Sequence, residues 1–309
     1  MSTGERTLVD RPVRVWSLAQ RPRSRRSAAE GTRRTAPSAR ILMALAVVLA
    51  LVVAALAAPV LTPHPPNATS LLQRLTPPVF AGGSWHHPLG TDQLGRDVLS
   101  RALYGARVSL VVAGLATVLG AALGTLLGLA AGIAPRSPVD HTVTYLVDLQ
   151  LSLPFILLAI ATSLVLGTSL TVLVGLAALA TWPAYARVVR GVVLSLRERE
   201  FVLAARALGA SEWRLMLRHL LPNLAAPLTV LATLSVGTIV LFESALSFLG
   251  IGIRPPTPSW GVMIADGREY LSRAWWLAAV PSSFLVALTL SVGVIGDALR
   301  DRLDVKTPG

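Results

Sequence analysis

Residues 108–133 run for 26 positions without a charged side chain, and a second apolar run of 21 occupies 41–61. A helix rises about 1.5 Å per residue, and about 20 apolar residues cover the ~30 Å of hydrocarbon in a bilayer. Each run is therefore long enough to cross a membrane once. The composition agrees: 53% of the chain is hydrophobic and only 14% charged, too apolar a balance for a soluble fold of 309 residues. The run at 41–61 lies behind an arginine-rich leader and holds Ala55-Leu56-Ala57, the outline of a secretory signal. Its length exceeds the about 7–15 residues of a signal core, so it reads as a retained span.

Further spans follow. The apolar stretch 142–189 is too long for one crossing and has its natural turn at Gly167-Thr168-Ser169, which makes two spans. A fifth covers 226–249 and a sixth 275–298, where Trp275 and Trp276 occupy the place of an interfacial aromatic belt. The expected fold is all-α and polytopic, with about six transmembrane helices. Residues 1–40, rich in Arg, Ser, Pro and Thr, bury too little apolar surface to offset their ordering entropy and are expected to be a disordered basic tail. Residues 62–107 form a polar connection whose end, 95–110, alternates polar and apolar positions and suggests a short interfacial helix. A core over 108–298 includes a polar, basic loop at 190–223, and 299–309 form a C-terminal tail. With six spans, three-quarters of the 28 basic residues fall on the side holding both termini and the 190–223 loop. That side is cytoplasmic by the positive-inside rule, and 62–107 is extracytoplasmic.

Several functions are excluded. The net charge of +12 is distributed as span-flanking arginines, ten of them in the first forty residues, and no nucleic-acid-binding motif accompanies them. The absence of cysteine rules out disulfides and thiolate-held metals. His64, His86, His87, His141 and His219 lie outside the spans or at their ends, so no intramembrane serine has a base. Adjacent His86 and His87 have neither helical nor zinc-type spacing. Asp148 and Asp297 lack the flanking motifs of an intramembrane aspartyl protease. The single lysine, Lys306, follows Val305, so the chain has no Gly-Lys phosphate loop and no ATPase of its own. No catalytic, cofactor or metal site is expected.

Three features call for specific roles. Gly120, Gly124, Gly128 and Gly132 recur every fourth position and share one helical face, where missing side chains let another helix approach. Glu243 interrupts an apolar span and must face protein or water, either lining a pore or making a helix-packing hydrogen bond. Pro154, Pro183 and Pro281 are placed to kink their helices. The loop segment from Arg197 to Asn223 reads as helix, break, helix: Phe201, Ala204, Ala205 and Leu208 recur at three and four, Gly209 suits a left-handed turn, and Ser211 and Glu212 suit the start of a second helix. A short helix with alanines on its surface either enters a groove on a partner or lies flat on the headgroups.

The run Ala204-Ala205-Arg206, Gly209 and Leu221-Pro222 resembles the signature loop of ABC-importer permeases, with Leu203 standing where the family has a glutamate and Glu200, one turn earlier, as its partial substitute. His87-Pro88-Leu89-Gly90-Thr91-Asp92-Gln93-Leu94-Gly95-Arg96-Asp97, Ser244-Ala245-Leu246-Ser247-Phe248-Leu249-Gly250 and Pro258-Ser259-Trp260-Gly261 are similar to the second of the paired permeases in the dipeptide, oligopeptide and nickel subfamily. The resemblance implies the ABC-importer permease fold in the cell membrane. It also implies a coupling helix docked on two ATPase subunits that bind the ATP, a second homologous permease, an extracytoplasmic solute-binding protein, and import of peptides. Nickel or another small solute is the alternative cargo. An ion-coupled carrier or channel and a membrane enzyme are the readings from other classes.

Overall fold

The computed structural model describes residues 39–304, and among them it contains helices, turns and no strand. The basic tail expected over 1–40 lies outside the described residues except for its last two, which already belong to a helix. The last five residues, with Lys306, lie outside as well.

Helix α1 (Ala39–Leu56) gives way at Ala57 to a single turn, α2 (Ala58–Leu61), whose Pro59 sits in the first turn and ends the longer helix. Only Ala44, Leu51 and Ala55 of α1 are buried, while Leu42, Met43, Leu49 and Leu56 point outward, as on a peripheral lipid-facing span. After an irregular segment comes α3 (Val98–Ile133), 36 residues long. The interfacial helix expected near 95–110 is instead the start of this span, whose length of about 54 Å exceeds the hydrocarbon thickness. Arg101 made that stretch look like loop. It is 2% exposed, with its Nε 3.5 Å from Asp92, so the helix carries its charge inside the protein.

The next apolar stretch is broken. Helix α4 (Pro138–Ser152) and α5 (Phe155–Leu166) meet at Leu153-Pro154 with a bend of 89°. Proline at 154 removes the donor that would have continued the ladder. Gly167, with φ +76°, turns the chain, and the Ser169 side chain caps α6 (Leu170–Arg197) by accepting from the Val172 amide.

The glycine stripe meets α6. A methyl built on Gly120 would lie 3.1 Å from the Ala178 carbonyl oxygen, one on Gly124 2.5 Å from Tyr185 Cβ, one on Gly128 2.6 Å from the Ala186 oxygen, and one on Gly132 2.8 Å from Val193 Cβ. Contacts that ascend together along both helices make α3 and α6 parallel. The bent pair α4–α5 must therefore carry the chain back from one end of the bundle to the other, which makes it the sixth crossing beside five long apolar helices.

The remaining elements are α7 (Glu200–Ala207), α8 (Glu212–Leu215), a π-helical turn Met216–Leu220 continuous with α9 (Leu221–Phe248), α10 (Trp260–Gly267) and α11 (Trp276–Asp304). Helix α9 starts five residues before the expected 226, and α11 runs past 298 through most of the stretch read as a tail. Helices α3, α6, α9 and α11 enclose the main core, which holds Val112, Ala116, Ala177, Ile239, Leu246 and Leu288. Residues 39 and 304 lie at the same end of the bundle as the α6–α9 connection, and residues 62–97 lie at the opposite end.

Candidate coupling site

The connection between α6 and α9 folds as two short helices set at an angle by one glycine. Helix α7 closes in a Schellman motif, in which the Ala210 amide donates to the Ala205 carbonyl at 3.1 Å and the Gly209 amide to Arg206 at 2.9 Å. That closure requires Gly209 to take φ +83°, where side chains are disfavoured and only glycine enters at no steric cost. Ser211 then caps α8, its hydroxyl accepting from the Arg214 amide, and Glu212 sits in the first turn at the positive end of the helix.

Helical spacing decides what each face does. Val202 is fully buried against the bundle and Arg206 is half-buried, whereas Phe201, Leu203, Ala204 and Leu208 are exposed, Leu208 to 89%. Ala205 is half-buried, Glu200 is exposed, and Leu221 and Pro222 are exposed at the start of α9. The Phe201 ring lies 5.9 Å from that of His219, tying α7 to the turn before α9. An apolar, small-residue surface thus stands out from the end of the bundle.

Charge pairs fix this surface to the spans. Glu212 Oε1 lies 2.8 Å from the Arg206 guanidinium across the glycine turn as an ion pair, its other oxygen lies 3.7 Å from Arg197, and the Arg197 guanidinium donates to the carbonyl of Ile133 at the end of α3. Arg190 binds Asp140 in a bidentate pair, at 2.5 and 3.0 Å, and Asp140 also accepts the Arg136 amide at 2.9 Å. Around these groups lies a cavity of about 680 Å³ lined by Arg136, Asp140, Arg190, Arg197, Leu203 and Arg206. These contacts link α7 through Arg206, Glu212 and Arg197 to the inner ends of α3 and α6. Sequence reasoning saw Glu212 only as a helix-start residue. Its position six residues after Arg206, across a glycine break, was the available signal.

A second groove of about 630 Å³ opens beside the loop between α6, α9 and α11, with apolar walls from Val188, Val192, Val230 and Leu234 and with Arg199 and Asn223 at its mouth.

Glu243 is far from both. It is completely enclosed: Ser109 donates to Oε2 at 3.0 Å, Ser247 to Oε1 at 2.8 Å, and Ser244 lies 3.5 Å from Oε2. Replacing Glu243 by leucine leaves the Ser109 and Ser247 hydroxyls buried without an acceptor, an expected loss of about 1–3 kcal/mol. Glu243→Gln keeps an acceptor oxygen and should lose less, as measured by thermal unfolding of the detergent-solubilised protein. Equal losses in both would show that the serines do not hold the carboxylate.

At the opposite end, the Gly-Thr-Asp segment folds on itself. Asp92 accepts the amides of Leu94 and Arg96, both at 2.9 Å, and pairs with the Arg96 side chain at 2.5 Å. Gly90 and Gly95 adopt φ +81° and +72°, and the Trp276 indole donates to the Thr91 carbonyl at 3.2 Å. Arg96 also lies 3.9 Å from Asp266, whose carboxyl is pushed above its usual range by burial and drawn back by Arg101 and Arg96. Trp260 is fully buried, its indole donating to the Ala102 carbonyl at 3.0 Å, and Gly261 lets α10 press on Ser244.

Residues 124–307 match the family described as binding-protein-dependent transport system inner membrane component. The chain is 42% identical over 259 residues to the di/tripeptide transport system permease protein DppC of Pseudomonas aeruginosa, covering 84% of this chain and 85% of that protein. It is 40% identical over 266 residues to the dipeptide transport system permease protein DppC of Alkalihalophilus pseudofirmus, covering 86% and 85%. Among solved structures, an inward-facing MetNI methionine ABC transporter chain superposes with a TM-score of 0.52 at 20% identity, over 64% of this chain and 94% of that one. At that identity the likeness is one of fold.

Proposed function

The chain belongs to the family of binding-protein-dependent transport system inner membrane components, and from that premise we propose that it is the permease subunit of an ABC importer and carries peptides across the cell membrane. Relatives of this kind work with ATPase and solute-binding partners. For this chain the set is two ATPase subunits, which bind the ATP, a second homologous permease, and an extracytoplasmic binding protein. The arginine-rich end, with both ends of the described chain, faces the cytoplasm.

The observation that carries the reading is the knuckle at 200–215. An exposed apolar surface on the cytoplasmic side, hinged at Gly209, tied by charge pairs to α6 and through Arg197 to the end of α3, is suited to receive motion from another polypeptide. Its Phe201, Ala204 and Leu208 side enters a groove on the ATPase. Leu203 makes an apolar contact where relatives in the family place a glutamate, so this docking rests on shape. Import proceeds by alternating access: closure of the ATPase pair pushes α7, the ends of α3 and α6 follow, and the groove between α6, α9 and α11 forms this subunit's half of the path. The four glycines of α3 keep α3 and α6 together as one rigid lever, and Glu243 packs α9 against α3 through Ser109.

The test is reconstitution. The complex, purified with its partners and sealed into proteoliposomes, should accumulate labelled dipeptide only when ATP and the binding protein are both supplied. Uptake driven by a proton gradient without ATP, or preferential accumulation of Ni²⁺, would overturn the assignment.

A further inference from the structure

Three imidazoles converge although their spacing along the chain matches no metal motif. His64 follows α2, and His86 and His87 come more than twenty residues later, yet one ligating nitrogen from each lies within 4.8 Å of the others. The ring centroids are 4.5 to 4.8 Å apart. Adjacent residues usually point apart, but here the bend before Pro88 turns both rings to one side, with His86 Nδ1 3.2 Å from His87 Nε2. Nitrogens bound to one tetrahedral zinc at about 2.0–2.1 Å stand roughly 3.3–3.4 Å from each other. The His86–His87 edge is already that length.

What stands behind the cluster makes it a built site. His87 is 5% exposed and its Nδ1 lies 2.9 Å from Oδ1 of Asp97, which is 1% exposed. The other Asp97 oxygen caps α3, accepting the Ser100 amide and hydroxyl at 2.7 Å each, so the carboxylate cannot turn away. A fixed carboxylate holds the proton on Nδ1 and aims Nε2 at His86 and Gln73. Carboxylate, histidine and metal in line is the arrangement that orients a ligand and raises its basicity. Gln73 Oε1 accepts from the same Nε2 at 3.0 Å, and an ion that displaced this Nε2 proton would have the amide oxygen beside it as a further ligand. His64 Nδ1 is buried and has no hydrogen-bond partner among the described residues, a cost that a bound cation would remove.

We propose that His64, His86 and His87, with Asp97 behind His87 and Gln73 beside it, bind one divalent transition-metal ion of the imidazole-preferring class, zinc in the first instance. The ion would clasp the end of α2 and the 71–97 segment to the start of α3. It is independent of the solute transported, because all its ligands lie in the loop cap and none on the spans around the α6–α9–α11 groove.

The test uses the complete transporter, stripped with EDTA and dialysed against Zn²⁺ alone. Wild type should retain one zinc per copy of this chain beyond what a His64→Gln, His86→Gln double variant retains, and zinc K-edge absorption should show imidazole scattering. Each single variant should weaken binding by at least about tenfold. His64 and His86 are half-buried and exposed, so folding is checked by retention of the partner subunits and by uptake without zinc. If wild type and the double variant retain the same amount of zinc while both remain assembled, the site does not exist.

Discussion

Valine at position 209 is expected to abolish ATP-dependent uptake while leaving the chain inserted in the membrane. Gly209 holds φ +83°, and a left-handed residue costs about 1–2 kcal/mol for ordinary side chains and more for a β-branched one. A methyl there meets nothing within 4 Å, so the penalty is one of backbone alone. The Schellman closure shapes the turn between α7 and α8, and an eight-residue helix has little stability of its own. Its loss moves Leu208 and Ala204 away from any groove they fit and breaks the Arg206–Glu212 pair. Uptake in proteoliposomes and retention of the ATPase on the purified chain are the two readouts, and both should fall below detection. Gly209→Asn, which tolerates the left-handed region, should retain a substantial part of both. Full uptake by the valine variant would mean that the turn is not used in coupling.

Leucine at position 124 should prevent accumulation of folded protein altogether. A β-carbon on Gly124 would lie 2.5 Å from Tyr185 Cβ, and one on Gly128 would lie 2.6 Å from the backbone oxygen of Ala186, so neither helix has room to yield without parting from the other. Overpacking a tight interface costs about 1–3 kcal/mol where side chains can shift, and here the obstruction includes backbone. The internal control lies on the same helix: Gly114 has nothing within 4 Å, and Gly114→Leu should yield normal amounts of monodisperse protein. Size-exclusion profiles of the extracted proteins make the comparison. Equal yields from Gly124→Leu and Gly114→Leu would show that close approach of α3 to α6 is dispensable.

The contrast between those glycines explains what was legible in the sequence. A spacing of four reports which residues share a face, and it does so without knowledge of the partner helix. That the partner is α6, running parallel, depends on the return of α4 and α5. Pro154 marks where that return breaks, but a proline alone does not specify the 89° bend. Apolar runs with few or no charges revealed the crossings because the bilayer penalises charge. The same rule placed the start of α3 about ten residues too late, since Arg101 and Arg107 interrupt the run, and Arg101 is paired with Asp92 in a loop that the pattern could not fold.

At the two ends of the bundle the difference is sharper. The knuckle could be read because its signals are local: a glycine, a cap, and apolar positions within two turns. The triangle through Glu212 needed a distance across a turn, and Arg197 needed the end of α3. The histidine cluster was missed because its geometry is non-local, arising from the Asp92 turn and the two left-handed glycines that fold 87–97 back on itself. Glu243 illustrates both cases, since Ser244 and Ser247 are helical neighbours while Ser109 is 134 residues away.

Force delivered to the cytoplasmic knuckle is the centre of the account, and Leu208, its most exposed apolar residue, is the place to probe it. A photoreactive amino acid at position 208, activated in native membranes of cells expressing the whole transporter, should form a covalent adduct with an ATPase subunit, in a yield that changes when non-hydrolysable nucleotide is added. Adducts with lipid alone, unaffected by nucleotide, would contradict it.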